Sequence, residues 1–234
     1  MFSWCTHVKY FHVLRFVHGN PLLCRKLVFM ARKECKIFLF LMVMCLIPGF
    51  VAAQAWNFVK DKDGIKIYTR KEPGNTIKSF KGITDIYAPM DKVCNLIGNV
   101  KNLDWWDKNL KEIRVLQYEK NKRAQYYLVY NAPWPITDRD LCVDAVINDD
   151  PVTGVRTIVA TPLLNVIPKR PDCVRIEHYW QSWTLQPTGK GYVHAILEGY
   201  VDPAGSVPDW IYNMVITDTP YKVMLGAKKQ LEAE

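Results

Sequence analysis

The chain has 234 residues, of which 49% are hydrophobic and 23% are charged. This composition fits one globular domain of ordinary size and excludes a disordered or collagen-like protein. The formal net charge is +8, but the first 53 residues carry seven Lys or Arg and one Glu, which leaves only +2 on the rest. Because nucleic-acid-binding domains carry their basic charge on the fold itself, nucleic acid is not an expected partner.

The N-terminal region has the three parts of a secretory signal peptide. ARKECK (31–36) is basic, IFLFLMVMCLIPGF (37–50) is apolar, and VAAQA (51–55) supplies the small residues of a cleavage site. This order predicts export, with a cut after Ala53 or Ala55. The alternative is an uncleaved membrane anchor, although the apolar run is shorter than the roughly 20 residues that span a bilayer.

Met30 stands directly before this signal, and the 29 residues ahead of it follow neither a helical nor a strand period. We interpret them as the product of a start codon assigned too early. The expected organisation is therefore a mis-assigned start followed by a secretory signal peptide at 1–53, and one folded domain at 54–234. The protein is expected in the periplasm if its source is bacterial.

Cysteine usage gives no sign of a metal site or a disulfide framework. Three of the seven cysteines follow Gln54, namely Cys94, Cys142 and Cys173, and they are far apart with no CxxC motif. An odd number leaves at least one free thiol in an oxidising compartment. The expected role of all three is that of buried, small apolar side chains.

The domain begins with strand patterns and then changes period. IKIYTR (65–70) alternates after the turn signal Asp63-Gly64, and TIKSFKGITDIYA (76–88) is a second strand candidate. After Pro89, apolar residues recur at helical spacing up to Val100. Further strands are predicted near 113–119, 124–131, 140–148, 155–161, 173–186 and 191–201. The short connections between them favour antiparallel pairing.

The last segment has the pattern of a long amphipathic helix. SVPD (206–209) places Ser206 as a capping residue and Pro208 in the first turn. Pro220 inside this helix is expected to kink or divide it. The order of strands, helix, antiparallel meander and helix predicts an α+β fold in which a curved sheet wraps around the terminal helix. An apolar cavity between the two is the expected ligand site.

Three segments together resemble START (StAR-related lipid transfer) domains, especially bacterial ones. They are NAPWPITDRDL (131–141), VRIEHYWQSWTLQP (174–187) and DPAGSVPDWIYNMVITDTPYKVMLGAKKQLE (202–232), and they occur in the order and at the spacing of that family. The resemblance covers roughly 56–234. It implies a helix-grip fold around an internal apolar cavity, and a protein that binds or transfers a lipid without a chemical step.

Two expectations depend on NAPWPITDRDL. The prolines favour an extended backbone through this connection, and Trp134 is expected to cover one end of the core. Asp140 either holds Arg139 or each pairs elsewhere, and a structural role for the pair is preferred to direct ligand contact. In sterol-binding relatives a second basic residue follows six positions after the Arg, but Ala145 stands there. A sterol ligand is therefore not inferred.

The alternation of side chains along the strands predicts which residues form the cavity wall. In 191–201 the apolar face consists of Val193, Ala195, Leu197, Gly199 and Val201, and Val174 and Ile176 predict that His178 and Trp180 also point inward. Gly199→Leu is expected to fill the cavity. The terminal helix is expected to contribute Trp210, Ile211 and Met214 and to act as the lid, with its break near Pro220.

These patterns favour a monomer that binds one lipid or other hydrophobic molecule, touches membranes transiently, and needs no cofactor or metal. The alternative is a cyclase- or hydratase-like enzyme acting on a polyketide- or steroid-like substrate, for which His178 is the best acid–base candidate. A ligand-sensing module is the third possibility. After the signal, only His178 and His194 remain, and their strands place them too far apart to share a metal easily.

Overall fold

A computed structural model describes residues 55–101, 105–106, 108–132, 134 and 136–233, and the side chains of these except 214 and 215. The predicted signal peptide, Pro133 and Pro135 lie outside the described residues. The part of the chain described here contains ten strands and three helices. None of these helices is both long and apolar enough to cross a bilayer.

The strands form one curved sheet in the order β1-β2-β3-β10-β9-β7-β6-β5-β4, with β8 paired to β6. All neighbours are antiparallel except β8, which runs parallel to the start of β6. In chain order the strands are β1 (Asn57–Lys62), β2 (Ile65–Lys71), β3 (Lys78–Ile86), β4 (Leu110–Glu119), β5 (Arg123–Tyr130), β6 (Asp138–Asp149), β7 (Arg156–Pro162), β8 (Cys173–Arg175), β9 (Tyr179–Pro187) and β10 (Val193–Val201).

The turns occur where the sequence has turn-favouring residues. Asp63 and Gly64 join β1 to β2 with φ angles of 53° and 69°. Positive φ at both central residues is what a two-residue hairpin turn requires. The one strand predicted over 173–186 is in fact two, β8 and β9, which are separated by Ile176, Glu177 and His178.

Helix α1 (Met90–Ile97) begins after Pro89, as predicted, and buries Val93, Cys94 and Ile97. The terminal helix is divided into α2 (Asp209–Val215) and α3 (Asp218–Glu232). Pro220 lies in the first turn of α3, where the missing N–H would have had no partner within the helix. The predicted cap is wrong, because Pro208 occupies the position before α2 and no side chain caps it.

The core lies between the inner face of the sheet and α3. Pro220, Val223, Met224, Ala227 and Leu231 form the buried side of α3. Of these, Val223, Met224 and Leu231 belong to one apolar cluster with residues of β2, β3 and β10. Gly82 allows this close approach, since a Cβ there would lie 2.3 Å from the Met224 sulfur. A side chain at position 82 would therefore require the Met224 side chain to move.

All three described cysteines are free thiols. Cys94 and Cys142 are buried, as predicted, and Cys173 is half-buried. Cys173 pairs in register with Asp138, four positions before Cys142 on β6, which is about 13 Å at the rise of a strand. A disulfide between these two cysteines would need a large backbone movement.

Candidate ligand-binding cavity

A cavity of about 280 Å³ lies between the inner face of the sheet and the two C-terminal helices. Its strand walls come from β3, β5, β6, β7, β9 and β10, and its helical wall from α2 and α3. The helical wall comprises Tyr212, Ile216, Thr219, Pro220 and Val223. Such a volume is near the lower end of the range for small-molecule pockets and fits a single small hydrophobic ligand.

Four tyrosines line this largely apolar cavity, namely Tyr126, Tyr130, Tyr179 and Tyr212. Burial raises the pKa of Tyr126, Tyr179 and Tyr212, so all three stay neutral at physiological pH. The Tyr179 hydroxyl donates to the backbone oxygens of Thr161 at 2.7 Å and Cys142 at 3.1 Å. These bonds fix the ring of Tyr179 against the sheet.

Arg139 is the one charged side chain among the described residues that line the cavity. It is 7% exposed, and burial lowers its pKa. Its guanidinium donates to the backbone oxygens of Pro203 at 3.1 Å and Ala204 at 3.0 Å, and also to that of Thr137. Arg139 therefore joins the start of β6 to the loop that leads into α2.

Asp140 points to the opposite face of the sheet, because neighbouring side chains of a strand alternate. It is fully buried and accepts two bonds from Arg175, at 2.9 and 2.8 Å. Tyr127 donates to the same carboxylate at 3.0 Å, and burial together with this bond raises the pKa of Tyr127 to about 12. Arg139 and Asp140 thus do not pair with each other, and each has partners elsewhere.

Of the predicted cavity residues, Arg139, Leu197 and Val201 lie on the wall. Val193 and Ala195 share their inward face but are packed in the core. Gly199 is also inward, but a Cβ there would lie 2.5 Å from the ring of Phe80. Gly199→Leu would therefore clash with Phe80 and does not test the cavity.

The predicted inward direction of His178 and Trp180 is wrong. Ile176 does face inward, but the break between β8 and β9 changes the phase, so that Tyr179, Gln181 and Trp183 are the inward residues of β9. His178 is exposed, and Trp180 is half-buried outside the residues that line the cavity. This placement leaves the cavity without the acid–base candidate named above.

Trp134, expected to cover one end of the core, and Trp210, expected to face the cavity from the terminal helix, are both on the surface. Trp134 is 93% exposed and Trp210 is 67% exposed, so Trp134 does not cover the core. Ile211 is half-buried and does not line the cavity. The side chain of Met214 lies outside the described residues.

Taken together, a curved sheet, a divided terminal helix and a largely apolar cavity between them define a helix-grip protein. Among known proteins, the START domain model matches residues 50–233. The chain belongs to the START domain family. Its resemblance to that family in sequence is thereby confirmed, as is the predicted fold.

The relatives include bacterial and mammalian proteins. An uncharacterised protein of Pseudomonas aeruginosa is 29% identical over 188 residues, which are 80% of this chain and 91% of that one. Rat phosphatidylcholine transfer protein is 23% identical over 175 residues, 71% and 78% of the two chains. The crystal structure of a STAR-related lipid transfer protein from Xanthomonas axonopodis has a TM-score of 0.70 at 25% identity, over 76% of this chain and 98% of that one.

Proposed function

We propose that this protein binds one lipid or other hydrophobic molecule in its internal cavity and carries it between membranes. The observation that supports this most is the cavity of about 280 Å³ with its neutral tyrosines and one cation, Arg139. Burying apolar ligand surface there is favourable by about 25 cal/mol per Å². The START family and the lipid transfer relatives support lipid binding or transfer in general.

We infer no chemical step in this function. An acid–base mechanism needs a titrating group within hydrogen-bond reach of the substrate. His178 is exposed and does not line the cavity, and Tyr126, Tyr179 and Tyr212 on its wall have pKa values above their usual range. These observations favour a binding protein over the cyclase- or hydratase-like alternative.

The test is to fill the cavity from a position where the sequence has a small side chain. Ala160 lines the cavity, whereas Thr161, one residue further along β7, is exposed. Ala160→Phe is expected to abolish copurification of lipid, because its ring would occupy the ligand volume. Thr161→Phe adds the same ring outside the cavity, and this variant is expected to copurify with lipid as the natural protein does. Native mass spectrometry of both purified variants gives the measurement.

Thermal unfolding of both variants provides the control, since a misfolded protein would lose its ligand for another reason. If folded Ala160→Phe carries as much lipid as the Thr161→Phe control, the cavity is not the binding site. If neither the variants nor the natural protein carries or takes up any lipid, the proposed function is wrong.

We also propose that the protein is exported after cleavage at Ala53 or Ala55. β1 begins at Asn57, so either cut would spare every strand. The Trp56 ring lies 4.5 Å from the Arg70 guanidinium carbon and 4.6 Å from the Lys81 nitrogen. A cut after Ala55 would leave a positively charged α-amino group on Trp56, close to these two cations. We therefore favour a cut after Ala53. Sequencing the mature N-terminus should find Gln54, and a retained Met30 on membrane-bound protein would contradict export.

A further inference from the structure

A second, much smaller cavity of about 20 Å³ adjoins the first. The two share Trp106, Tyr126, Ala160 and Gln181 as wall residues. We call the smaller one the inner pocket. It has room for about one water molecule or one terminal group of a ligand.

The strand register explains why there is space at this point. Ala124 on β5 pairs with Ala145 on β6, which pairs with Ala160 on β7, and Ala160 pairs with Gln181 on β9. Three alanines therefore form one row across the inner face, and the amide of Gln181 ends the row. Ala145 is the position at which sterol-binding relatives were expected to carry a charge.

Two buried donors also line the inner pocket. Trp183 is 2% exposed, and its indole nitrogen has no hydrogen-bond partner among the described residues. Tyr126 is 4% exposed, and burial alone raises its pKa, with no contribution from a neighbouring charge or hydrogen bond. Because buried N–H groups are nearly always bonded, we expect an acceptor here, such as a ligand oxygen or a bound water.

The inner pocket and Arg139 mark opposite ends of the ligand space. Ala145 lies six positions after Arg139 on β6, which is about 20 Å at the rise of a strand. The wall between them is apolar at Leu141 and Val143. A ligand that spans this distance would place one end beside the Arg139 guanidinium and the other beside Trp183.

We propose that the inner pocket binds a hydrogen-bond-accepting oxygen of the ligand, a hydroxyl or carbonyl group at the end remote from Arg139. The ligand class is then a long-chain amphiphile with a polar group at each end. This inference rests on the proposed function and specifies its ligand. Trp183 donates its N–H to that oxygen, and Gln181 and Tyr126 complete its hydrogen bonds.

The experiment compares two probes that differ by one hydroxyl, hexadecanoate and 16-hydroxyhexadecanoate, by calorimetric titration of the delipidated protein. The natural protein is expected to bind the hydroxy acid about fivefold more tightly, the usual effect of one net hydrogen bond. Trp183→Phe and Tyr126→Phe remove one donor each and are expected to reduce this preference. Tyr87→Phe removes a hydroxyl from an exposed ring and should leave the preference unchanged.

The outcomes separate this inference from the proposed function. If both acids bind equally to the natural protein, the inner pocket holds a structural water only and the inference is overturned. The same follows if the hydroxyl preference survives both donor variants. If neither acid binds, lipid binding itself fails for this class of ligand. Tyr126→Phe keeps the inference testable if Trp183→Phe does not fold, because it loses only one hydroxyl.

Discussion

Asp140→Ala is expected to lower the free energy of unfolding by about 3–5 kcal/mol, the usual cost of breaking a buried ion pair from one side. The substitution would leave Arg175 without its carboxylate in a site where its side chain is 6% exposed. It would also remove the acceptor of the Tyr127 hydroxyl. Urea denaturation followed by circular dichroism gives the measurement.

The second reason for a large effect is that Arg175 connects distant parts of the chain. Besides Asp140, it donates to the backbone oxygens of Ile167 at 3.1 Å and Pro168 at 3.2 Å. Without Asp140, the segment between β7 and β8 would lose its fixed contact with β6. The Tyr127, Val129 and Cys142 cluster under this segment would then be exposed to water.

An exposed ion pair provides the matched control. Glu119 and Lys122 are in contact at 2.6 Å, with side chains 50% and 73% exposed. Glu119→Ala is expected to cost about 1 kcal/mol or less, because solvent screens such pairs. Equal losses in the two variants would mean that the Asp140–Arg175 pair contributes no more than a surface contact.

The sequence predicted the positions of most strands, turns and helices well, because the residues that specify them are close together in the chain. Each signal acts within a few residues and marks one feature of the structure. The alternation of apolar residues marks strands, Asp63-Gly64 marks a turn, and Pro89 and Pro220 mark the starts of helices. The break between β8 and β9 was missed because its causes are distant in sequence. Ile176 donates to the backbone of Asp140, and His178 accepts from that of Asp202.

The site was harder to predict than the fold for the same reason. In β5, Ala124, Tyr126 and Leu128 face the cavity side, yet Tyr127 and Val129 are equally buried, because the segment after β7 covers the outer face. Because both faces of β5 are apolar, the alternation of its side chains could not identify Tyr126 as a residue of the cavity wall. The unpredicted break between β8 and β9 made His178 and Trp180 the expected inward residues in place of Tyr179 and Gln181. The exposure of Trp134 and Trp210 goes against their hydrophobicity.

The last expected result concerns how the ligand enters. A disulfide between Thr76→Cys and Asp209→Cys is expected to stop lipid exchange between vesicles, and reduction to restore it. α2 would be the lid, since Tyr212 lines the cavity and Trp210 is exposed beside it. Pro220 follows the break between α2 and α3, which provides a place for α2 to turn.

The hydrogen bonds of α2 make it the movable part of the terminal helix. Asn213 accepts from the Lys78 N–H at 3.0 Å and donates to the Thr76 oxygen at 2.8 Å, and the Thr76 hydroxyl bonds to Asp209. These contacts are at the surface or half-buried, whereas α3 is held by fully buried Met224 and Ala227. Opening α2 therefore costs less than lifting α3.

Thr76 and Asp209 suit the lock because the contact between their side chains connects α2 to the segment before β3. The assay follows a pyrene-labelled fatty acid and a pyrene-labelled phosphatidylcholine between vesicles, with each single cysteine variant as control. Asn213→Ala removes two of the contacts and is expected to speed exchange. If the oxidised double variant exchanges lipid as fast as the reduced one, α2 is not the lid.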